Sequence, residues 1–489
     1  VKRFLYIAHA LGLVTMFWSI ILLLPYSFSI YYQDGWDKNF LYAIVITAMV
    51  GLALFLIGLP FKRELRLRDG LLLVFCVWLL FPAIGTIPFM LPYHTGDFSL
   101  SFTKAYYEVM SGLTTTGSTV IADVTHLPRS INAWRHSLIW FGGMGILVLA
   151  VAILPLLGVG GHQVVRGEAA GPMKEEKLTP RIAGTAKALY SIYIGTSLLC
   201  VLCYRWAGLE WFDAWCHAGS TMGLGGFSTY TNGYADINNP IVELVACIFM
   251  LFSGINFATH FTALRLRSLK AYIYCPEALP FLTIVLSSAL LISVYLFLSG
   301  YYTSLESAFR YGFFNTISIA TTTGFANTDY SLWPIAIPIW MLMLANFVSS
   351  AGSTGGGVKL IRMIILFKQI GIELRKLIHP HGVFPLRVKK RTINRSVISA
   401  ILLFLIIYAG AVMLFTILLL ISGVDYDTAI SAIVASVSNL GPGLGAVGPM
   451  GNYGVLNDFA IWVCTVAMLV GRLELFTVMI IFAPVYWRK

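Results

Sequence analysis

The chain has 489 residues, 58% of them hydrophobic and 11% charged, with a mean hydropathy of +0.80 and a formal net charge of +11. That balance excludes a soluble globular domain and marks a polytopic membrane protein, in which the excess of Lys and Arg reads as cytoplasmic loops rather than a nucleic-acid surface. The seven cysteines are scattered, and Cys200-x-x-Cys203 lies inside an apolar stretch, so no redox or metal motif is present.

Two apolar helices are predicted first, at 6–28 and 41–61. The first is long enough to span and no small-residue cleavage site follows it, so it is expected to remain in the membrane. The basic run Lys62 to Arg68 falls on the cytoplasmic side, and two crossings earlier the N-terminus, with Lys2 and Arg3, falls there too.

From residue 71 onward one unit recurs four times: apolar helix, short re-entrant segment, glycine-centred turn, apolar helix. The first copy has helices at 71–93 and 136–157 around a re-entrant segment at 101–114. The second has helices at 185–207 and 241–264, the third at 279–300 and 334–372, the fourth at 395–422 and 456–485. The turns read Thr114-Thr115-Thr116-Gly117, Met222-Gly223-Leu224-Gly225-Gly226-Phe227, Thr321-Thr322-Thr323-Gly324 and Asn439-Leu440-Gly441-Pro442-Gly443. With Gly117, Gly226, Gly324 and Gly441 aligned, a small residue stands twelve positions upstream of each: Ala105, Ala214, Gly312 and Ala429. A fixed period of this kind speaks to architecture before any motif does. The expected divisions are 1–70 for the two leading helices, then 71–165, 166–270, 271–394 and 395–489 for the four copies.

The loops between copies are basic: Arg166, Lys174, Lys177 and Arg181; Arg265, Arg267 and Lys270; and Arg375, Lys376, Arg387, Lys389, Lys390, Arg391 and Arg395. The opposite loops carry Asp34, Asp37, Asp97, Asp123, Asp236, Asp329, Asp425 and Asp458, together with Lys38, Lys104, Arg129 and Arg135. On balance the four glycine turns face outside and both termini face the cytoplasm.

Non-helical backbone at membrane depth is tolerated only where protein buries it or where it lines a water-filled path. A glycine there permits positive φ and close approach, and four such turns from one chain can present a ring of carbonyl oxygens that replaces part of a cation's hydration shell. The carbonyl candidates are Thr116, Gly117, Gly225, Gly226, Thr323, Gly324, Leu440 and Gly441, with Gly226 chosen over Gly225 because Gly226-Phe227 aligns with Gly324-Phe325. The run Gly352-Ser353-Thr354-Gly355-Gly356-Gly357 is too rich in glycine to stay helical and is expected to break helix 334–372. Arg472 lies in an apolar helix, where an ionised group faces a pore or a partner; Glu474, two residues on, points to a different face.

Other patterns lead nowhere. Gly443 to Gly448 satisfies G-x-G-x-x-G but has no preceding strand, and His126, His136, His217 and His260 lack ligand spacing. Without paired acids, a nucleophile with its base, or a metal set, an enzyme is disfavoured. A secondary permease would show inverted repeats, whereas these begin and end on the same side.

The motifs Ser111 to Gly117, Gly225 to Thr229, Asn439 to Gly443, Ala351 to Gly357 and Gly471-Arg472-Leu473-Glu474 resemble those of the Trk/Ktr/HKT superfamily of potassium transporters, over nearly the whole chain. The resemblance implies an all-α membrane protein of two leading helices and four M1–pore-helix–M2 units in pseudo-fourfold arrangement around one pore, working in potassium uptake across the bacterial inner membrane, with potassium as substrate, no covalently bound cofactor, and proton or sodium symport left open. It implies a homodimer in membrane lipid, a cytosolic nucleotide-binding regulatory subunit of the TrkA type docked on the basic face from Arg375 to Arg395 together with the loop at 166–181, and no nucleic-acid partner. It further implies a gate built from residues 352–357 and Arg472 below a carbonyl filter. Tetrameric potassium channels carry Thr-Val-Gly-Tyr-Gly in each subunit; the single shared glycine per copy here implies fewer carbonyl layers. In plant relatives that select sodium a serine replaces the first filter glycine, and glycine at position 117 favours potassium.

Overall fold

The structure is a computed structural model describing residues 2–63, 65–91, 98–152, 178–389 and 391–487. Asp97, Arg166, Lys174, Lys177, Lys390, Arg488 and Lys489 lie outside the described residues. The described chain is almost wholly helical; its β structure is one antiparallel hairpin, Arg387–Val388 against Arg391–Thr392, in the basic link that sequence had left unstructured.

Six described helices are long and apolar enough to cross a membrane, and a seventh span arises if the bent pair Pro240–Gly254 and Phe257–Leu266 is counted as one. The unbroken six are the two leading helices, extended to Arg3–Tyr32 and Asp37–Phe61, and the first helix of each copy, within Leu67–Met90, Leu178–Trp206, Ala278–Leu298 and Arg395–Ile421. These face lipid along much of their length: Phe17, Met49, Leu202, Leu291 and Ile406 are all exposed apolar side chains.

The second helices behave differently. Arg129–Ala152 runs without a break through Gly142, Gly143 and Gly145. The third copy's helix stops at Phe347 and resumes at Leu360, as the glycine run predicts. Two others also break, against the expectation of continuous helices at 241–264 and 456–485. One bends by 92° after Gly254, and the other stops at Arg472 and resumes at Leu475. Asn256 explains the first break: its side chain accepts the Ala258 N–H at 2.8 Å and so starts a new helix mid-span. The helix that resumes at Leu360 in the third copy runs on to Ile378, so Arg375 and Lys376 occupy its last turn rather than a loop, where the helix dipole favours them.

The leading helices pack on each other with almost no gap. A Cβ on Gly12 would come within 2.3 Å of the Phe55 nitrogen, and one on Gly58 within 2.1 Å of the His9 nitrogen. Small residues at such crossings let helix backbones meet in a medium without a hydrophobic drive to associate. Replacing Gly12 with Val should force the pair apart and destabilise the protein by about 1–3 kcal/mol. Thermal unfolding in detergent checks this, and an unchanged midpoint would show that the crossing is loose.

Candidate functional site

Four short helices, Phe102–Leu113, Trp211–Gly223, Leu305–Ala320 and Tyr426–Ser438, end in the same way. Each is followed by a residue with positive φ: Thr115 (56°), Leu224 (55°), Thr322 (63°) and Asn439 (54°). The N–H of the next residue then returns to the helix: Thr116 to the Ser111 carbonyl (2.8 Å), Gly225 to Ser220 (3.0 Å), Thr323 to Ser318 (2.9 Å) and Leu440 to Ala435 (2.9 Å). This Schellman closure satisfies carbonyls that a helix end otherwise leaves bare. None of the four left-handed residues is glycine, so each holds a conformation costing about 1–2 kcal/mol. The matching positions fall two and six residues before Gly117, Gly226, Gly324 and Gly441, which makes Gly226, not Gly225, the counterpart of the other three.

The four turns touch in a closed cycle. A Cβ on Gly117 would meet the Gly226 nitrogen at 1.9 Å, and one on Gly226 the Thr323 oxygen at 2.8 Å. One on Gly324 would meet the Leu440 oxygen at 2.2 Å, and one on Gly441 the Thr116 oxygen at 2.6 Å. Each turn thus abuts the next, and the fourth abuts the first. All four glycines line one cavity, together with Phe227, Phe325 and Tyr453.

The candidate carbonyls are those of Thr116, Gly117, Gly225, Gly226, Thr323, Gly324, Leu440 and Gly441. Among the described residues all but one of them accept no hydrogen bond from the protein; the Gly441 oxygen accepts the Tyr453 hydroxyl at 2.9 Å. Carbonyls in such number are left without partners where another group can supply positive charge. Four helix C-termini converge on the same place, and each adds partial negative charge.

On the other face of the ring lies the segment between Phe347 and Leu360. Thr354 Oγ1 donates to the Met222 carbonyl at 3.1 Å, and the Gly356 N–H donates to Thr322 Oγ1 at 2.9 Å. A Cβ on Gly355 would sit 3.1 Å from the Thr321 oxygen, and one on Gly356 only 1.9 Å from the Ser438 oxygen. The loop is therefore fitted against the ends of three of the four short helices. Arg472 clasps it, donating from Nη1 to the Thr354 carbonyl (3.0 Å) and from Nη2 to the Gly142 carbonyl (3.2 Å). Its Nε has no hydrogen-bond partner among the described residues, so both hydrogen bonds of the buried guanidinium run to carbonyls.

The architecture has known counterparts. A family model described as TrkH, cation transport protein, matches residues 37–489. The chain belongs to the TrkH family. The Trk system potassium uptake protein TrkH of Halomonas elongata is 42% identical, with 99% of each chain covered, and that of Escherichia coli K12 is 37% identical over the same share. The crystal structure of the potassium transporter TrkH from Vibrio parahaemolyticus superposes with a TM-score of 0.91 at 37% identity, covering 99% of both chains. As a member of the TrkH family, this chain is an integral membrane cation transport protein and not an enzyme.

Several supports of the TrkH-family ring escaped the sequence reading. Arg135, taken for an outer-loop charge, is fully buried and paired with Glu108 at 2.8 Å. Glu108 in turn accepts the Val120 N–H (3.0 Å) and the Thr119 hydroxyl (3.0 Å), which fixes the chain just past the first turn. Arg310 pairs with Glu243 at 2.7 Å, and Asn327 donates to the same carboxylate at 3.0 Å beyond the third turn. Acidic residues inside otherwise apolar helices were the available signal. Glu474, which lies in the break between the helices rather than on a helix face, pairs with Arg362 at 2.5 Å. The buried histidines bond to nearby oxygens: His136 Nδ1 to the Asn132 carbonyl, His217 to the Asp213 carbonyl and Ser228 hydroxyl, and His260 to Tyr272 and the Phe252 carbonyl. No cluster of three or more potential metal ligands occurs among the described residues.

Removing one partner of a buried ion pair leaves the other charge stranded. Arg135→Ala should therefore destabilise the protein by about 3–5 kcal/mol, with Glu108→Gln in the same background recovering part of the loss. Thermal unfolding of the single and double variants tests this, and a single variant as stable as the parent would show that the pair is not needed.

Proposed function

We propose that the chain conducts potassium into the cell through a single pore, with the ring of turns as its filter and the loop of residues 348–359 as its gate. The closed cycle of the four turns, whose glycines Gly117, Gly226, Gly324 and Gly441 line one cavity, carries this reading. The relatives named above are potassium uptake proteins, and glycine rather than serine stands at position 117. In this reading Thr116, Gly117, Gly225, Gly226, Thr323, Gly324, Leu440 and Gly441 replace part of the ion's water shell. Beneath them Gly352, Ser353, Thr354, Gly355, Gly356 and Gly357 obstruct the path, and Arg472 adds a positive charge where a low dielectric strengthens its repulsion of a cation.

The wider setting belongs to the same proposal. The four copies divide at residues 71, 166, 271 and 395, the termini are cytoplasmic, and the protein works as a homodimer in the bacterial inner membrane. A cytosolic nucleotide-binding subunit docks on the basic face formed by the last turn of helix Leu360–Ile378 and the hairpin at Arg387–Thr392.

Purified protein in liposomes, assayed for potassium, rubidium and sodium flux, tests the reading as a whole; equal permeation of sodium and potassium would reject the filter. Two variants locate its parts. Gly117→Ser puts a side chain where the Gly226 nitrogen already lies, so the ring must open, and the potassium-to-sodium permeability ratio should fall about tenfold, or about 1.4 kcal/mol of lost discrimination. Arg472→Ala, or deletion of Gly355 and Gly356, should raise basal flux several-fold, by about 1 kcal/mol or more, while leaving that ratio unchanged. Basal flux equal to the parent's in both gate variants, with assembly intact, would place the gate elsewhere.

A further inference from the structure

The loop under the ring is tied at its neck. The Val358 N–H donates to the Asn346 carbonyl at 2.7 Å, and the Leu360 N–H to the Ser349 carbonyl at 2.9 Å. A single side-chain atom holds both ends as well. Oε1 of Glu277 accepts the Ala351 N–H at 2.9 Å and the Ile361 N–H at 3.0 Å. Glu277 is 1% exposed and belongs to a different part of the chain, directly before helix Ala278–Leu298. A carboxylate accepting backbone N–H groups forms bonds roughly twice as strong as neutral ones. Between the two tied points Lys359 is held at a φ of 76°, a strained value for a side-chain-bearing residue, and its ammonium bonds the Gly355 carbonyl inside the loop.

Glu277 also has a second side. Cys275 and Pro276 connect it to the short helix Lys270–Tyr274, and the Ile273 carbonyl of that helix accepts Lys389 Nζ at 3.0 Å. Lys389 follows the first strand of the cytoplasmic hairpin, and the hairpin's Arg387 carbonyl accepts Lys368 Nζ at 2.9 Å from the helix that leaves the loop. The hairpin is thus joined to the loop by two routes. One runs along helix Leu360–Ile378; the other passes through Lys270–Tyr274 and arrives at both loop ends at once.

We propose that Glu277 is the latch of the loop, a positioning residue that pins both ends and passes displacement of the cytoplasmic hairpin to them. This rests on the loop being the gate. A latch on both ends matters because a loop freed at one end can only swing, whereas one freed at both can withdraw from the ring. Spatial connection alone is not coupling, so coupling is what the experiment must read.

The full-length protein in liposomes is compared as parent, Glu277→Ala, Glu277→Gln, Lys389→Ala, the double variant Glu277→Ala/Lys389→Ala, and the chain lacking Gly355 and Gly356. Potassium flux and the potassium-to-sodium ratio are measured for each. Glu277→Ala should raise basal flux about tenfold, within the range of ordinary coupling energies. Glu277→Gln keeps an acceptor but loses the charge and should raise it less. The ratio should hold in both, which a general loss of structure would not allow. Lys389→Ala should change basal flux alone and add nothing in the double variant, because its effect travels through Glu277. If the deletion raises flux while both Glu277 variants keep the parent's value, the latch is wrong and the gate stands. If the deletion also keeps the parent's value, the gate reading fails and takes the latch with it. Should Glu277→Ala fail to assemble, Glu277→Gln alone decides: parental flux overturns the latch. Additive effects of Lys389→Ala and Glu277→Ala would overturn the route through residues 270–277.

Discussion

Backbone that leaves the helix inside a membrane must find a partner for every N–H and carbonyl it exposes, and the middle of this protein is organised by that demand. The four short helices meet it inwardly, by folding each C-terminus back on itself through Thr115, Leu224, Thr322 and Asn439. The broken second helices meet it by binding one another. Gly352 accepts the N–H of Phe257 at the break after Gly254, and Arg472, at the break in the last second helix, donates to Thr354. The breaks are therefore parts of one arrangement: each supplies a group that another lacks. What is left over, after these bonds are made, is a set of carbonyl oxygens gathered at the ring.

Charge is distributed to suit. Above and around the ring, cations are matched by carboxylates, the buried Arg135 with Glu108 and the partly exposed Arg310 with Glu243. Below it, Arg362 has Glu474, but Arg472 is held by carbonyls only. Four helix C-termini concentrate negative potential at that spot, so an unpaired guanidinium is tolerated there at a depth where it would otherwise be costly. The same potential attracts a permeating cation in the proposed function. In that proposal Arg472 and the ion compete for one electrostatic environment, and a small shift of this residue would have leverage over permeation.

Much of this was legible in the sequence. The alignment of four glycines, with small residues twelve positions upstream, gave the register that the left-handed residues and helix-closing bonds share, including Gly226 over its neighbour. The glycine run at 352–357 announced its own break through low helix propensity. The other two breaks were hidden because the side chains found at them act through particular partners: Asn256 caps a helix after a turn, and Glu474 pairs with Arg362, 112 positions away in the chain. Arg135 was misplaced for a related reason. Charge rules count residues near helix ends, and a guanidinium turned inward toward Glu108 looks, in sequence, like one turned toward water. Glu277 gave no signal, since its bonds go to backbone amides, which any residues would supply.

The hydrogen bond from Tyr453 to the Gly441 carbonyl has a wider meaning. Pores assembled from identical subunits can alter a ring only by altering every position in it together. In a ring drawn from one polypeptide, each quadrant has its own codons, and here one quadrant already differs: its oxygen is shared with a phenol while the other three glycine oxygens are not. If the ring is the filter proposed above, ion preference can be adjusted by quarter-steps, each small enough to leave the remaining three sides working. Covalent linkage of the copies thus turns an all-or-nothing property into a graded one, open to gradual change under selection.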